Sequence, residues 1–330
     1  AYRGGKKKDY DILRHRASNV VAGDNQSYNS LLDTIELDLS DNNNYVAATG
    51  QLDLNRFIDY ILINFYAGNQ DWAFQNWNAS YNKSDSSPTW IFHNWDAEKT
   101  FQLVDDDVTD ADDEGAPTHI HQRLRNNLDY RLQFADRAHR LMFNSGVLTP
   151  EVVSQKYLSR LNAIDSAVVA ESARWGDNRN PNRSPYTRDD WLLEKERLMS
   201  EFFPYRTKVL LDQLRDDELY PEFDAPAFSK HGGTVENGFT LWIENRSNVG
   251  EVFYTTNGED PRSTSGAVAD DAITKDFLTI TQSLKIKSRI FDQLTDRWSA
   301  LTEAVFFVES GSTDIRVSEI MFHPSSVNEE

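Results

Sequence analysis

The chain has 330 residues, of which 39% are hydrophobic and 12% aromatic, and its formal net charge is −19. This length and composition predict more than one folded domain and exclude general disorder. The negative charge argues against nucleic-acid binding, which needs clustered Lys and Arg, and is compatible with divalent cations. Because cysteine is absent, disulfides, cysteine-based zinc sites and a cysteine nucleophile are excluded. No segment reaches the roughly 18 apolar residues of a membrane span.

Residues 1–50 are polar and contain a Gly-Gly-Lys run at Gly4, Gly5 and Lys6. A phosphate-binding loop requires the spacing G-x-x-x-x-G-K-[ST], which this run lacks. The run is therefore interpreted as a solvated basic turn.

The first strong helical pattern covers residues 54–67. Its apolar residues recur at helical spacing, with Asp53 in the N-cap position and Gly68 at the expected stop. Asp71 is therefore predicted to lie on a loop just beyond a buried helix, where catalytic residues are often found.

A β-hairpin is predicted next. Residues 77–81 and 90–95 alternate between apolar and polar around the polar turn 82–88. A hairpin of this kind returns Asp96 to the loop that carries Asp71 and Asn76.

These three polar residues have the spacing of a kinase site. Asn76 follows Asp71 by five positions, and Asp96 comes after the hairpin. In kinases, an Asp in the first position orients the attacking hydroxyl, and the Asn and the second Asp hold magnesium ions. The pattern favours phosphoryl transfer.

Other charged residues offer weaker candidates. The acidic run 105–114 lacks the EF-hand spacing, so a solvated, mobile loop is favoured over calcium binding. Arg174, between predicted helices, is a candidate to reach a phosphate or an acidic site, although a structural ion pair that fixes the loop is favoured. His119 and His121 flank Ile120 and would share a metal only if that segment were a strand; a structural or surface role is favoured.

Helical patterns continue from about residue 118 to residue 219. Pro150 is predicted at a helix start, and Thr187 is predicted to begin a capping box. The helical periodicity of the sequence stops at residues 220–226. Short β-like runs then follow at spacings typical of a β-sandwich, at 239–243, 252–256, 277–280, 284–291 and 304–308.

The first 220 residues or so resemble the kinase-like family of spore-coat protein H (CotH). The resemblance rests on FYAGNQDW at 65–72, Asn76-Trp77, WDAE at 95–98 and ESARWGD at 171–177, in that order. It implies an atypical protein kinase that uses ATP and Mg²⁺ or Mn²⁺ to phosphorylate Ser or Thr of a protein substrate.

Carried over by motif, Asp71 is the catalytic Asp, Asp96 the metal-binding Asp and Asn76 the second metal ligand. WDAE stands where other kinases have Asp-Phe-Gly, and the family also departs from that motif. The family's phosphate-covering loop and phosphate-binding Lys lie upstream, and residues 1–50 show no equivalent. We therefore expect residues 1–222 to be a CotH kinase-like domain without most of its nucleotide-binding lobe, and to have little or no activity alone.

Two further resemblances concern the C-terminal part. Residues 223–308, with YTTNGEDPR at 254–262, resemble the immunoglobulin-like accessory domain of chitobiases and hexosaminidases. Residues 312–330, with IRVSEIMFHP at 315–324, resemble the start of a lamin-tail-type domain. This combination is typical of exported bacterial proteins, which implies an extracellular or cell-surface location.

The predicted fold is multidomain α+β. An atypical kinase-like lobe, mostly helical with a β-hairpin, precedes an all-β immunoglobulin-like sandwich. The main alternative function is a non-enzymatic surface or assembly protein with a degenerate kinase fold, in which Asp71 and Asp96 are structural. Glycoside hydrolysis by these two carboxylates is a third alternative, but it leaves Asn76 unexplained.

Overall fold

The computed structural model describes residues 6–177 and 184–309. It contains both helices and sheets, as predicted for an α+β protein. The segment that resembles a lamin-tail domain lies outside the described residues.

The N-terminal unit is built on a four-stranded antiparallel sheet with the order β2-β1-β3-β4. Its strands are β1 (Tyr10–Arg14), β2 (Arg16–Ala22), β3 (Trp77–Asn82) and β4 (Trp90–Asn94). The β3–β4 hairpin confirms the prediction. Strands β1 and β2 were not predicted, because only Leu13 and Asp11 are buried in β1 and none of β2 is.

Three helices lie between β2 and β3 in the chain: α1 (Gln26–Ile35), α2 (Asn42–Thr49) and α3 (Leu54–Ala67). The bounds of α3 are those predicted. Asp53 caps it by accepting a hydrogen bond from the backbone N–H of Arg56 at 3.3 Å. Gly68 ends it with φ +54°, a left-handed conformation that glycine adopts without strain.

In its described residues, the predicted helical region contains five α-helices and one π-helical turn. They are α4 (Pro117–Leu124), α5 (Leu128–Met142), α6 (Pro150–Trp175), α7 (Arg188–Arg197), the π turn Leu198–Phe202 and α8 (Phe203–Asp216). Helix α6 begins at Pro150 as predicted. The capping box also forms, since the Thr187 N–H donates to Asp190 Oδ2 at 2.8 Å.

A buried arginine anchors α8 to the end of α3. Arg206 is fully buried and donates hydrogen bonds to the carbonyl oxygens of Phe65, Tyr66 and Val104. The first two carbonyls belong to the last turn of α3, where the Phe65 oxygen also accepts the Gly68 N–H at 3.1 Å. Arg206 therefore fixes the helix end from which the Asp71 loop departs.

The C-terminal unit is all-β. Its strands are β5 (Ala227–Phe228), β6 (Gly233–Val235), β7 (Phe239–Glu244), β8 (Glu251–Thr255), β9 (Phe277–Ile280), β10 (Leu284–Asp292), β11 (Arg297–Trp298) and β12 (Thr302–Val308). One sheet has the order β5-β7-β9, and the other β11-β10-β12-β6, with β8 paired to β10. Leu241 and Ile280 from the first sheet join Ile286 and Phe306 from the second in one buried cluster. All five predicted strands are confirmed to within two residues.

A polar network joins the two units. Arg289 on β10 has a buried side chain and binds both carboxylate oxygens of Asp136 on α5, at 2.7 and 2.6 Å. It also binds Asp260, at 2.8 and 2.6 Å. Asp136 additionally accepts the backbone N–H of Leu301 at 2.8 Å. Both carboxylates therefore meet one guanidinium at the boundary between the units.

Two buried histidines remain neutral in the folded protein. His139 lies within hydrogen-bonding distance of the Tyr220 and Thr302 hydroxyls, at 2.9 and 3.1 Å. His121 lies 2.8 Å from the Tyr130 hydroxyl. Because burial disfavours the charged imidazole, the pKa of each falls to about 3. Residue 121 is on helix α4, so the strand that a shared metal site with His119 requires does not form.

We expect the free energy of unfolding, and with it the stability of the protein, to decrease as the pH falls from about 6.5 towards 3. In the unfolded chain both histidines regain a pKa of roughly 6.5, so the unfolded state takes up protons first. Each then lowers stability by about 1.4 kcal/mol per pH unit in this window. Urea unfolding followed by tryptophan fluorescence at pH 7, 6 and 5 measures the slope.

The variant His139→Gln should reduce that slope by about half, because it keeps a hydrogen-bonding side chain and removes one titration. His119→Gln is the matched control. Burial lowers the His119 pKa, but hydrogen bonds to Glu36 and Asp112 outweigh burial and raise it, so its loss should not flatten the slope. Equal slopes for wild type and His139→Gln would contradict a neutral buried His139.

Candidate functional site

A chain of side-chain amides ties the loop after α3 to the end of β4. Asn64 on α3 donates through Nδ2 to Asn94 Oδ1 at 2.8 Å, and Asn69 Nδ2 donates to Asn64 Oδ1 at 2.9 Å. Asn69 Oδ1 then accepts the backbone N–H of Asp71 at 3.1 Å. The amides therefore fix the loop carrying Asp71 to the strand that leads to Asp96.

Asp71 is buried and already has two side-chain partners. Its Oδ1 accepts a hydrogen bond from Gln75 Nε2 at 2.7 Å, and its Oδ2 lies 3.4 Å from Lys99 Nζ. The next residue, Trp72, packs in the core against Tyr60 and Phe65. Asp71 is thus held between a rigid core and one cation, whose own side chain is 54% exposed.

Asn76 and Asp96 meet at the open end of the β3–β4 hairpin. Beyond the last ladder pair, the Trp95 N–H donates to the Asn76 carbonyl at 3.1 Å. Asn76 Nδ2 donates to the Asp96 carbonyl at 3.3 Å. Both residues have left-handed backbones, with φ +59° and +51°, which Asn and Asp tolerate better than other side chains. The hairpin therefore brings Asp96 to Asn76, as predicted.

The oxygen atoms at this end are suited to a hard cation. Asp96 is exposed, and its carboxylate has no hydrogen-bond or ion-pair partner among the described residues. Asn76 uses its Nδ2 towards Asp96, which leaves Oδ1 as an acceptor. Carboxylate and amide oxygens are ligands that Mg²⁺ binds. Within the described residues, no group of three or more His, Asp or Glu side chains is placed to hold a metal.

Sequence reasoning missed the contribution of the β1–β2 turn. His15, with φ +62°, accepts the Asn76 backbone N–H through Nδ1 at 2.7 Å. The backbone N–H of His15 donates to the Trp77 carbonyl at 2.8 Å. Beside it, the Arg14 guanidinium lies over the Trp95 ring, 5.0 Å from the centroid. No motif marks these residues, because the contacts join segments that are far apart in the sequence, 61 positions for His15 and Asn76.

Arg174 is not brought to this site by any described contact. It is exposed near the C-terminal end of α6 and stacks on Trp175, with 4.8 Å between guanidinium and ring centroid. Among the residues that the structure describes, the contact seen for Arg174 is stacking on the neighbouring indole, and the favoured structural ion pair stays a prediction.

Carboxylates of the acidic run 105–114 accept hydrogen bonds from nearby backbone N–H groups. Asp106 accepts the Leu103 N–H at 2.9 Å, and Asp107 accepts both the N–H and the hydroxyl of Thr109, at 3.0 and 2.6 Å. These carboxylates therefore stabilise turns. Asp106 also lies against Gly68, where an added Cβ would approach its Cβ to 2.9 Å.

Among the described residues, none of the helices is both long enough and apolar enough to cross a membrane. No curated protein and no solved structure matches the chain significantly. The sequence profile of the family described as CotH kinase protein matches residues 2–224, about two thirds of the chain, and the match covers α3, the hairpin and every residue of the candidate site. The chain therefore belongs to the CotH kinase protein family.

Proposed function

We propose that this protein is a phosphotransferase that moves the γ-phosphate of ATP to Ser or Thr of a protein, with Mg²⁺ or Mn²⁺. The observation that carries the proposal is the contact between Asn76 and Asp96 at the open end of the hairpin, next to the loop of buried Asp71. Family membership supports the same chemistry.

Asp71 is proposed to orient the acceptor hydroxyl and to take its proton as the oxygen attacks phosphorus. Its position on a loop fixed by Asn69 and packed through Trp72 holds the carboxylate in place. Lys99, at 3.4 Å, neutralises that carboxylate in the absence of substrate.

Asn76 Oδ1 and the Asp96 carboxylate are the groups proposed to hold the metal. Their oxygen chemistry, the free Asp96 carboxylate and the hydrogen bond that joins the two residues support this assignment. When bound, the ion neutralises charge on the transferring phosphate. Because both residues have left-handed backbones, their side chains do not continue the alternation of the hairpin strands.

Export of the protein, a Ser- or Thr-bearing surface protein as substrate and an immunoglobulin-like topology for the β-rich unit belong to the same proposal. Their support is the motif resemblance of residues 223–308 and the two-sheet arrangement around one apolar cluster.

One observation favours a second candidate function, a non-enzymatic assembly protein. The Asp71 carboxylate is buried, and each of its oxygens has a side-chain partner, Gln75 or Lys99, which also suits a purely structural residue. Incubation with γ-labelled ATP, Mg²⁺ or Mn²⁺, and a mixture of Ser- and Thr-containing peptides separates the two. Label on Ser or Thr supports the phosphotransferase, and a protein that neither transfers label nor binds ATP at any metal concentration contradicts it.

A further inference from the structure

His119 lies between two carboxylates that come from different parts of the chain. It is the third residue of α4, and its side chain is 18% exposed. Its Nδ1 lies 2.7 Å from Asp112 Oδ1 in the acidic run, and its Nε2 lies 2.7 Å from Glu36 Oε1 at the C-terminal end of α1. Both ring nitrogens are therefore within hydrogen-bonding distance of a carboxylate oxygen.

Only the protonated imidazole of His119 satisfies both contacts. A neutral imidazole has one N–H, so its other nitrogen would turn a lone pair towards a carboxylate oxygen, whereas the imidazolium donates from both nitrogens. Burial lowers the pKa of His119, but the hydrogen bonds to Glu36 and Asp112 outweigh burial and raise it. Geometry and charge therefore both favour the protonated form.

The acidic run depends on this proton more than α1 does. Arg123, one turn further along α4, lies with its Nη2 3.5 Å from Glu36 Oε2 and donates to the Ile35 and Glu36 carbonyl oxygens at 3.2 and 3.3 Å. Because arginine keeps its charge, Arg123 holds α4 to the end of α1 whatever the state of His119. Asp112, in contrast, has His119 as its one side-chain partner in the described part of the chain. The link between the acidic run and α1 therefore requires His119.

The segment that this link holds forms a wall beside the candidate site. The two residues that follow Asp112 line a cavity of about 390 Å³. The same cavity is lined by Phe74, on the loop between Asp71 and Asn76, and by His15, which binds the Asn76 backbone. A shift of the acidic run would therefore change the shape of a cavity that borders the candidate site.

We propose that His119 is a proton-dependent clasp that ties the acidic run to α1 and α4 and thereby fixes the wall of this cavity. When His119 loses its proton, one of its two contacts with carboxylates loses its hydrogen bond, and the charge that attracts both is removed. Gln122 still donates to the Thr109 and Ala111 carbonyl oxygens, at 2.8 and 3.2 Å, so the run loosens at Asp112 and stays attached to α4. The clasp is a conformational device and does not depend on phosphoryl transfer.

The direction of the pH dependence follows from the contacts. Because folding raises the pKa of His119, the stabilisation by the clasp is complete below about pH 6.5 and is lost as the pH rises through the folded-state value. The clasp is thus closed at low pH and open at high pH.

NMR titration of the His119 ring tests whether both carboxylates act on it. The midpoint in wild type should lie above about 6.5. Either Glu36→Gln or Asp112→Asn should lower it, because each removes one negative charge beside the imidazolium. Asp110→Asn is the matched control and should leave the midpoint unchanged, since Asp110 is an exposed neighbour in the same run with no hydrogen bond or ion pair to the described residues.

Hydrogen exchange measures the clasp itself. After correction for base-catalysed exchange, the protection of amides 109–114 in wild type should fall by about two- to fivefold from pH 6 to pH 9, the size expected for a partly exposed charged pair. The amides of α5 should keep the same protection and serve as the internal reference. His119→Gln should show the lower protection of the acidic run at both pH values, because its side chain does not titrate.

Far-UV circular dichroism establishes that each variant is folded, and Asp112→Asn replaces His119→Gln in the exchange experiment if the latter is not. A wild-type midpoint at or below about 6.5 would overturn the clasp. A midpoint that neither carboxylate variant lowers, or wild-type protection of the acidic run that is the same at pH 6 and pH 9, would also overturn it. None of these results would bear on the phosphotransferase proposal.

Discussion

Replacing Asp71 with Asn should lower phosphoryl transfer by at least about 1,000-fold while the protein stays folded. The amide has the shape of the carboxylate and can still accept the Gln75 hydrogen bond, but it cannot take a proton from the acceptor hydroxyl. Loss of the Lys99 ion pair should cost no more than about 1 kcal/mol, because that lysine is more than half exposed. Transfer of γ-label and the thermal midpoint measure the two effects.

Asp85→Asn is the matched control for this change. Asp85 lies on the exposed turn of the β3–β4 hairpin, and its one hydrogen bond among the described residues is accepted from the Ser87 backbone N–H. Its variant should keep both activity and stability. An Asp71→Asn protein that transfers phosphate at the wild-type rate would contradict a catalytic Asp71. A marked loss of stability in Asp71→Asn, with no transfer in wild type, would support the structural alternative.

Replacing Arg289 with Met should destabilise the protein by about 3–5 kcal/mol, the usual cost of removing one partner from a buried ion pair. The side chain of Arg289 is only 3% exposed and is shared by Asp136 and Asp260. Burial alone would raise the Asp260 pKa, but the hydrogen bond and charge of Arg289 outweigh it and lower that pKa. Without Arg289, two carboxylates would face each other at the boundary between the units.

The midpoint of urea unfolding, followed by tryptophan fluorescence, measures this effect. Arg246→Met is the matched control, because Arg246 forms an exposed pair with Glu244 and its loss should change stability by less than about 0.5 kcal/mol. A similarly small effect for Arg289→Met would show that the network does not stabilise the boundary between the units.

Local patterns were sufficient to predict the elements that bury a clear face. Helix α3 combines a regular apolar stripe with a capping Asp and a terminal Gly, so its bounds were predicted to the residue. Helix α2 was missed because it buries only Tyr45 and Ala48, which leaves little periodicity to detect. Helix α1 buries Tyr28, Leu31 and Ile35 at helical spacing, so its pattern was present in the sequence and was overlooked. Strand β2 is a largely exposed edge strand whose place depends on pairing with β1.

The candidate site likewise has a part that the sequence predicts and a part that it does not. The convergence of Asn76 and Asp96 follows from a hairpin that sequence alternation predicts, since strands that pair return to the same end. The partners His15, Lys99 and Arg14 belong to no motif. Their positions depend on how β1 packs beside β3 and on how the chain runs after β4, and only tertiary structure determines these contacts.

Metal-dependent ATP binding tests the central claim most directly, because it requires the site and not a particular protein substrate. Calorimetric titration of ATP should show binding by wild type that is at least about tenfold tighter with Mg²⁺ or Mn²⁺ than with EDTA. Asp96→Ala should bind ATP equally with and without metal, while Asp110→Ala, on the exposed acidic loop, should behave as wild type. Metal-dependent binding that survives in Asp96→Ala, or no ATP binding by wild type at all, would contradict a metal–ATP site at Asn76 and Asp96.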